Sequence, residues 1–274
     1  MPLSKYVVLE KAVGQTPLSC AEAWRQNKPE LKNIPIAYAG RLDPMASGTL
    51  LILIGDECKV QEKYHTLDKQ YEFSILFGVS SDTADVLGRL HYPEAAPTIL
   101  IPQLQTLCQK YVGEIELPYP QFSSKTVLGK PLHVWTLEGR INEISIPTKV
   151  STIYKLAITR TETKTRKEIY TEVSRKIETI PPVIDVSKTL GNDFRRVDVR
   201  ADWLAFSQTG KPADAFTIVT FTCIASSGTY MRTMAEVIAR ACNATGLAYH
   251  IHRTRIGHYQ PLPFGIGFWR SLYR

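Results

Sequence analysis

Long apolar runs are missing from this 274-residue chain: no stretch approaches the ~20 consecutive apolar residues of a membrane-spanning helix. The N-terminus, Met1-Pro2-Leu3-Ser4-Lys5, has no apolar segment leading to a small-residue cleavage site, so it does not read as a secretory signal. Cysteine is sparse. Cys20, Cys58, Cys108, Cys223 and Cys242 are far apart, odd in number and form no Cys-x-x-Cys pair. That excludes a disulfide framework and a zinc site and points to a reducing compartment. The six histidines are equally scattered, which leaves a metal centre little support. His250 and His252 would share one face of a strand and read as a half-exposed structural pair. There is no internal repeat and no low-complexity tail. A cytoplasmic protein without membrane contact is expected.

What is present is ordinary globular composition, 44% hydrophobic and 22% charged, in a chain long enough to bury a sizeable core. The formal net charge of +7 suggests an anionic partner, nucleic acid first.

The stretch Tyr38-Ala39-Gly40-Arg41-Leu42-Asp43-Pro44-Met45-Ala46-Ser47-Gly48-Thr49-Leu50 organises the chain. Pro44 fixes its own φ and biases Asp43 towards an extended conformation. Gly40 and Gly48 mark sharp turns or close approaches. The apolar run Leu50 to Ile54 reads as a buried strand or helix anchoring the loop. Asp43 is thereby a carboxylate on a stiff loop beside a core element, a suitable place for a nucleophile. The competing reading is a plain Asx turn before proline.

Around it the pattern predicts a first strand at Tyr6–Lys11. A helix follows with Thr16 as N-cap and Pro17 as its first residue, running to about Gln26 with Leu18, Ala21 and Trp24 near the core. Lys69 to Gly78 alternates with period two as a half-buried strand, with Tyr71, Phe73 and Ile75 on one face. Residues 80–88 form a polar loop whose Asp82 and Asp85 read as turn formers rather than cation ligands. Residues 98–113 look helical, with Leu100, Leu104, Leu107, Cys108 and Tyr111 spaced on one face. An extended, aromatic and proline-rich strip covers Leu117–Thr126, followed by a short helix from Leu132. From about 160 to 215 charges alternate densely, with ten Lys/Arg against seven Asp/Glu between 160 and 200. That segment reads as a solvated surface insertion. A strand at Ala215–Ile224 leads through Ser226-Ser227-Gly228 into a helix with Met234, Val237, Ile238 and Ala241 inward. A final strand carries Ile251 to Gly257. The N–H groups at 226–228 suit an anion, and Arg232 in the first helical turn can pair with a carboxylate.

Three stretches together resemble a known family. Gly40-Arg41-Leu42-Asp43-Pro44-Met45-Ala46-Ser47-Gly48 is similar to the catalytic-aspartate motif of pseudouridine synthases. The strand through Tyr71 with Ser81-Asp82-Thr83-Ala84-Asp85-Val86-Leu87-Gly88, and Ser227-Gly228-Thr229-Tyr230-Met231-Arg232-Thr233, resemble the second and third motifs of the TruB family. Pro118–Gly129 and Arg253-Thr254-Arg255-Ile256-Gly257 are similar to further family stretches. The resemblance covers roughly 7–155 and 215–260.

It implies isomerisation of uridine to pseudouridine in RNA, typically at position 55 in the tRNA T-loop, without cofactor or metal. By resemblance Asp43 is the nucleophile, Tyr71 stacks on the flipped base and assists proton transfer, Arg232 pairs with Asp43, and Tyr230 lines the pocket. The residue types suit that chemistry. A guanidinium favours an ionised carboxylate, and an unstacked base needs an aromatic platform. The implied architecture is an α/β (α+β-like) pseudouridine synthase fold: a mixed, largely antiparallel central sheet with flanking helices. Residues 1–274 would form a single catalytic domain with a peripheral insertion at about 160–215 and no C-terminal PUA domain. The strip at 118–139 would grip RNA. The expected partner is the tRNA T-arm, bound by a monomer.

The chain departs from the family pattern in places. Tyr38 stands where a histidine is usual, Lys11-Ala12 replaces Lys-Pro, and Ile251 replaces a pocket leucine. The alternatives are the same reaction at another uridine, in rRNA or another tRNA loop, or a non-catalytic RNA-binding or RNA-folding protein. A hydrolase pairing Asp43 with Asp82 or Asp85 would need those carboxylates within several ångströms of each other.

Overall fold

The computed structural model describes residues 4–93, 96–182, 195–211, 214–263 and 266–274. In chain order the elements are strand β1 (Tyr6–Lys11), helix α1 (Pro17–Gln26), β2 (Ile36–Tyr38), β3 (Ser47–Ile54), the single turn α2 (Glu62–His65) and β4 (Asp68–Phe77). Then come the short pair β5 (Ser80–Ser81) and β6 (Leu90–His91), α3 (Ile101–Lys110), β7 (Gly113–Pro118), the short pair β8 (Thr126–Val127) and β9 (Lys130–Pro131), and α4 (Leu132–Leu137). The C-terminal half contains β10 (Thr148–Thr165), α5 (Arg166–Glu178), α6 (Arg196–Gln208), β11 (Ala215–Ala225), α7 (Met231–Ala241), β12 (Gly246–Pro261) and β13 (Gly267–Leu272).

One large sheet runs β1-β3-β12-β4-β11-β10-β7, with β2 added beside β3 and β13 beside β12. Its ladders are antiparallel except for a short parallel contact of β12 with β3, where His252 faces Ser47 and Arg253 faces Gly48. The mixed, largely antiparallel sheet with flanking helices is the architecture that the sequence implied.

Local sequence explains the elements that matter here. Thr16 caps α1 through a reciprocal capping box with Ser19, with Pro17 in the first turn. The inward face of α1 is Cys20 and Ala21, packed on Leu50 and Ile52 of β3, whereas Leu18 is 57% exposed. Small side chains let the helix approach the sheet closely, so Leu18 is left outside the contact. Leu100 likewise lies outward as the N-cap of α3, and Ala241 is exposed where α7 ends. β4 is more than half-buried: Phe73 through Phe77 are all inaccessible or nearly so, because its apolar residues pack into one core cluster with the inward face of α7. His250 and His252 do share a face, their rings nearly parallel at 6.3 Å, and Ser47 Oγ lies 2.9 Å from His252 Nδ1.

The described part of the segment expected to be a solvated insertion instead joins the main sheet and lends apolar stripes to the core. Charged β10 pairs along its length with β11 and, at its start, with β7. Helix α5 buries Ile169, Val173 and Ile177, and α6 buries Val199, Trp203 and Phe206 in the same cluster as Phe73 and Phe221. Their polar residues face solvent and dominate the composition, which hid the apolar stripes at helical spacing. Residues 183–194 and 212–213 of that segment lie outside the described residues.

Candidate active site

The loop between β2 and β3 is built to present Asp43. Leu42, Met45 and Ala46 are buried in the core on either side of it. Ala46 N donates to Asp43 O at 3.0 Å, closing a turn with Pro44 at its first central position. Gly14 N donates to Pro44 O at 2.8 Å, so the N-terminal segment braces the same turn. Gly48, at φ +109°, lets the backbones of β3 and β12 touch: a Cβ there would stand 2.3 Å from Arg253 O.

Asp43 faces an open cleft of about 1150 Å³. The sequence singled out Tyr38, Asp43, Tyr71, Tyr230, Arg232 and Ile251 as site residues, and all six line it. They come from β2, β3's leading loop, β4, the N-terminus of α7 and β12, segments far apart in the chain. Arg232 Nε lies 2.8 Å from Asp43 Oδ2, with the arginine side chain 6% exposed and the carboxylate 39% exposed. The cation is therefore fixed and the anion is left accessible. Arg232 is held by two further bonds, Nη1 to Thr83 O at 2.8 Å and Nη2 to Phe122 O at 3.2 Å.

Two residues read only as turn formers diverge here. Asp82 accepts from Arg89 N and pairs with Arg195, away from Asp43. Asp85 is buried, 3.8 Å from Arg232 Nε through its Oδ2, and accepts from Thr83 Oγ1 and Leu87 N. Burial pushes the Asp85 carboxyl upward against the opposing pull of Arg232. Burial works against the Arg232 charge too, but the carboxylates of Asp43 and Asp85 outweigh it and hold the guanidinium above its ordinary range. Asp85 therefore steadies Arg232 from beneath. Asp43 and Asp85 both sit on Arg232 Nε, within several ångströms of each other as a hydrolase pair would require, but Asp85 is 4% exposed and engaged by Thr83 and Leu87, which argues against an acid/base pair with Asp43.

Aromatic rings flank the carboxylate. Burial pushes the Tyr71 phenol up, opposed by the nearby Arg253 guanidinium, and burial also pushes up Tyr230. Both phenols are therefore protonated at neutral pH. Tyr119 packs edge-on against Tyr230 with centroids 5.8 Å apart. The strip after β7 closes the opposite wall with Phe122, Ser123 and Ser124, and Arg41 Nη1 reaches across to Ser124 Oγ at 2.9 Å. Beyond the strip, Leu128 stands 81% exposed at the β8–β9 turn. Among the residues not singled out from sequence, Lys69 and Arg253 also line the cleft floor although both are buried. Period-two alternation of β4 could have placed Lys69 beside Tyr71's neighbours, but nothing in it marked a buried cation.

Among the described residues, no three His, Cys, Asp or Glu side chains group as metal ligands, and no helix is long and apolar enough to cross a membrane. All five cysteines are free.

The cleft thus offers an accessible carboxylate held by a buried guanidinium, able to act as a nucleophile, between aromatic walls on which a planar base can stack. Residues 28–179, more than half of the chain, match the family model "TruB family pseudouridylate synthase (N terminal domain)", and the chain belongs to that family. It is 25% identical over 260 residues to tRNA pseudouridine synthase B of Bordetella avium, covering 94% of this chain and 83% of that protein. It is 32% identical over 152 residues to tRNA pseudouridine synthase B of Caldicellulosiruptor saccharolyticus, covering 55% and 50%. With tRNA pseudouridine synthase 4 of Saccharomyces cerevisiae it shares 32% identity over 130 residues, 47% of this chain and 32% of that one. The matched part is about half the length, or less, of several such curated relatives. Among solved structures, a Cbf5-Nop10-Gar1 complex contains a chain of the same fold, with a TM-score of 0.52 at 15% identity over 92% of this chain and 48% of that one.

Proposed function

We propose that this chain is a tRNA pseudouridine synthase that isomerises uridine 55 of the T-loop, with Asp43 as nucleophile. The observation that carries the reading is the 2.8 Å pair of exposed Asp43 with buried Arg232 at the floor of an aromatic cleft. Family membership and the names of its relatives support the reaction and the substrate class.

The flipped nucleotide enters with its uracil against Tyr71, while Tyr38, Tyr230 and Ile251 line the remaining walls. Asp43 bonds transiently to the nucleotide, and the N1–C1′ bond breaks. The uracil turns and C5 bonds to C1′. C5 gives up a proton and N1 takes one, so the reaction balances without a redox step or co-substrate. A protonated Tyr71 is suited to donating in that exchange. Unstacking the base costs a few kcal/mol, offset by contacts along the cleft and by RNA phosphates on its cationic rim. The strip at 118–139 is the RNA-gripping element in this reading, and the chain acts as a cytoplasmic monomer.

The test is pseudouridine mapping on tRNA from cells lacking this protein, complemented with wild type or Asp43→Ala. Position 55 should lose its modification and regain it only with wild type. If another RNA site changes instead, the chemistry stands and the target is wrong. If no site changes, or Asp43→Ala complements fully, the non-catalytic RNA-binding alternative replaces it.

A further inference from the structure

Arg253 is a fully buried guanidinium, 1% exposed, on the strand that meets β3 in parallel. Its Nε donates to Thr49 O at 2.8 Å, Nη1 to Arg41 O at 3.2 Å and Nη2 to Gly40 O at 3.3 Å. One planar fork thus ties together carbonyls on both sides of Asp43: two in the loop ahead of it and one in the strand behind it. Among the described residues it makes no ion pair with a carboxylate, and its nearest cationic neighbour in the cleft floor, Lys69, donates to Leu67 O. Burying a charge against carbonyl dipoles alone is costly, so hydrophobic packing would serve stability better at this position.

We infer that Arg253 is a positioning residue that sets the loop carrying Asp43 into register with Arg232 and Tyr71. The inference rests on the proposed isomerase reading. A second observation points the same way: Arg253 stands opposite Tyr71 across the β12–β4 ladder, and its charge opposes the upward push of burial on the phenol. The same side chain therefore ties the nucleophile's loop to the strand position opposite the aromatic platform. Lysine cannot replace it, since a single ammonium lacks the fixed fork needed to reach three separated carbonyls.

The test compares Arg253→Lys and Arg253→Ala with wild type on a T-arm RNA. Three quantities are measured: the single-turnover rate with enzyme in excess, the RNA dissociation constant by filter binding, and the melting temperature. Misplacement of a reacting group by about 1 Å costs on the order of 100-fold, and a loss of that order is expected for both variants. RNA affinity should stay within about threefold, a shift near the noise of binding measurements, because Arg253 is shielded from the RNA. Methylguanidinium should restore part of the Arg253→Ala rate, and ammonium should not.

A merely structural role would lower the melting temperature and the reactive fraction but leave the rate of the folded fraction unchanged; that result overturns the inference. So does a loss of affinity equal to the loss of rate. Should Arg253→Ala fail to fold, Arg253→Lys, which keeps charge and stem, carries the same comparison. Wild type in the same assay separates the two readings. An inactive wild type removes the reaction and this inference with it. An active wild type with a fully active Arg253→Lys removes the inference alone.

Discussion

Lys69 shows how charge is placed in this cleft at the scale of one residue. It is 5% exposed, beside Arg253 and within 3.6 Å of where a Gly40 Cβ would stand. Desolvation first, and the Arg253 charge second, bring its ammonium down to about 7. A lysine whose folded value lies below its unfolded one binds fewer protons when folded. Stability from this group therefore grows as pH rises from about 7 towards the unfolded value and is lost as pH falls through about 7. Lys69→Met removes that dependence. The variant's melting temperature should exceed wild type most at about pH 6 and the gap should shrink by about pH 9.5. A gap that is constant across that range would mean that Lys69 is hydrated in solution. Asp43 shows the opposite placement: exposed, with its counter-charge buried. The sequence marked Asp43 through its glycines and proline. It could not mark Lys69 or Arg253, since their burial comes from strands more than a hundred residues apart.

Among the elements, β1, α1, β4, β11 and α7 were legible because each carries a local signal that tertiary structure did not overrule. These signals were a capping box with proline, a period-two run, or a long apolar stretch. The segment from 160 to 215 was misread for a physical reason. β10 is long and amphipathic, and the outer faces of α5 and α6 are densely charged, so average composition outweighed spacing. Ile169, Val173 and Ile177 recur every four residues, as do Val199 and Trp203, and those stripes are what the core uses. Trp203 separates the two readings. It is inaccessible, its Nε1 donates to Val86 O at 2.9 Å, and its ring packs edge-on against Phe206. Val86 belongs to the loop that carries Asp85, so α6 supports the buried side of the Arg232 network. Trp203→Ala in the core should cost about 3–5 kcal/mol in urea denaturation. A peripheral lobe would return a change within about 0.5 kcal/mol. The six residues that motif resemblance singled out all line the cleft, whereas the contact of Asp85 with Arg232 depends on α7 and the loop at 82–88 meeting across the core.

The whole molecule joins these parts by bringing one cationic floor and one exposed carboxylate to the same opening. The net charge of +7 fits a polyanionic ligand, but its effect on binding depends on which cations reach the phosphates. Lys69, Arg232 and Arg253 are buried and occupied with carbonyls or carboxylates, so they shape the floor rather than meet the backbone. Arg41 is different. It is exposed, lines the cleft, and spans to Ser124 on the far wall with a single bond that an RNA phosphate could replace. Each phosphate neutralised releases counterions, so log affinity should fall linearly with log salt by about 0.7–0.9 per contact. For wild type on a T-arm RNA a falling affinity with salt is expected, and Arg41→Gln should lower the slope by about one contact. Arg232→Gln, if folded, should abolish turnover while leaving the slope unchanged, because its charge belongs to Asp43. A slope near zero would mean that affinity comes from shape and stacking alone. An equal drop for Arg41→Gln and Arg232→Gln would mean that the floor is open to phosphate, and the division between a phosphate-binding rim and an occupied floor would fall.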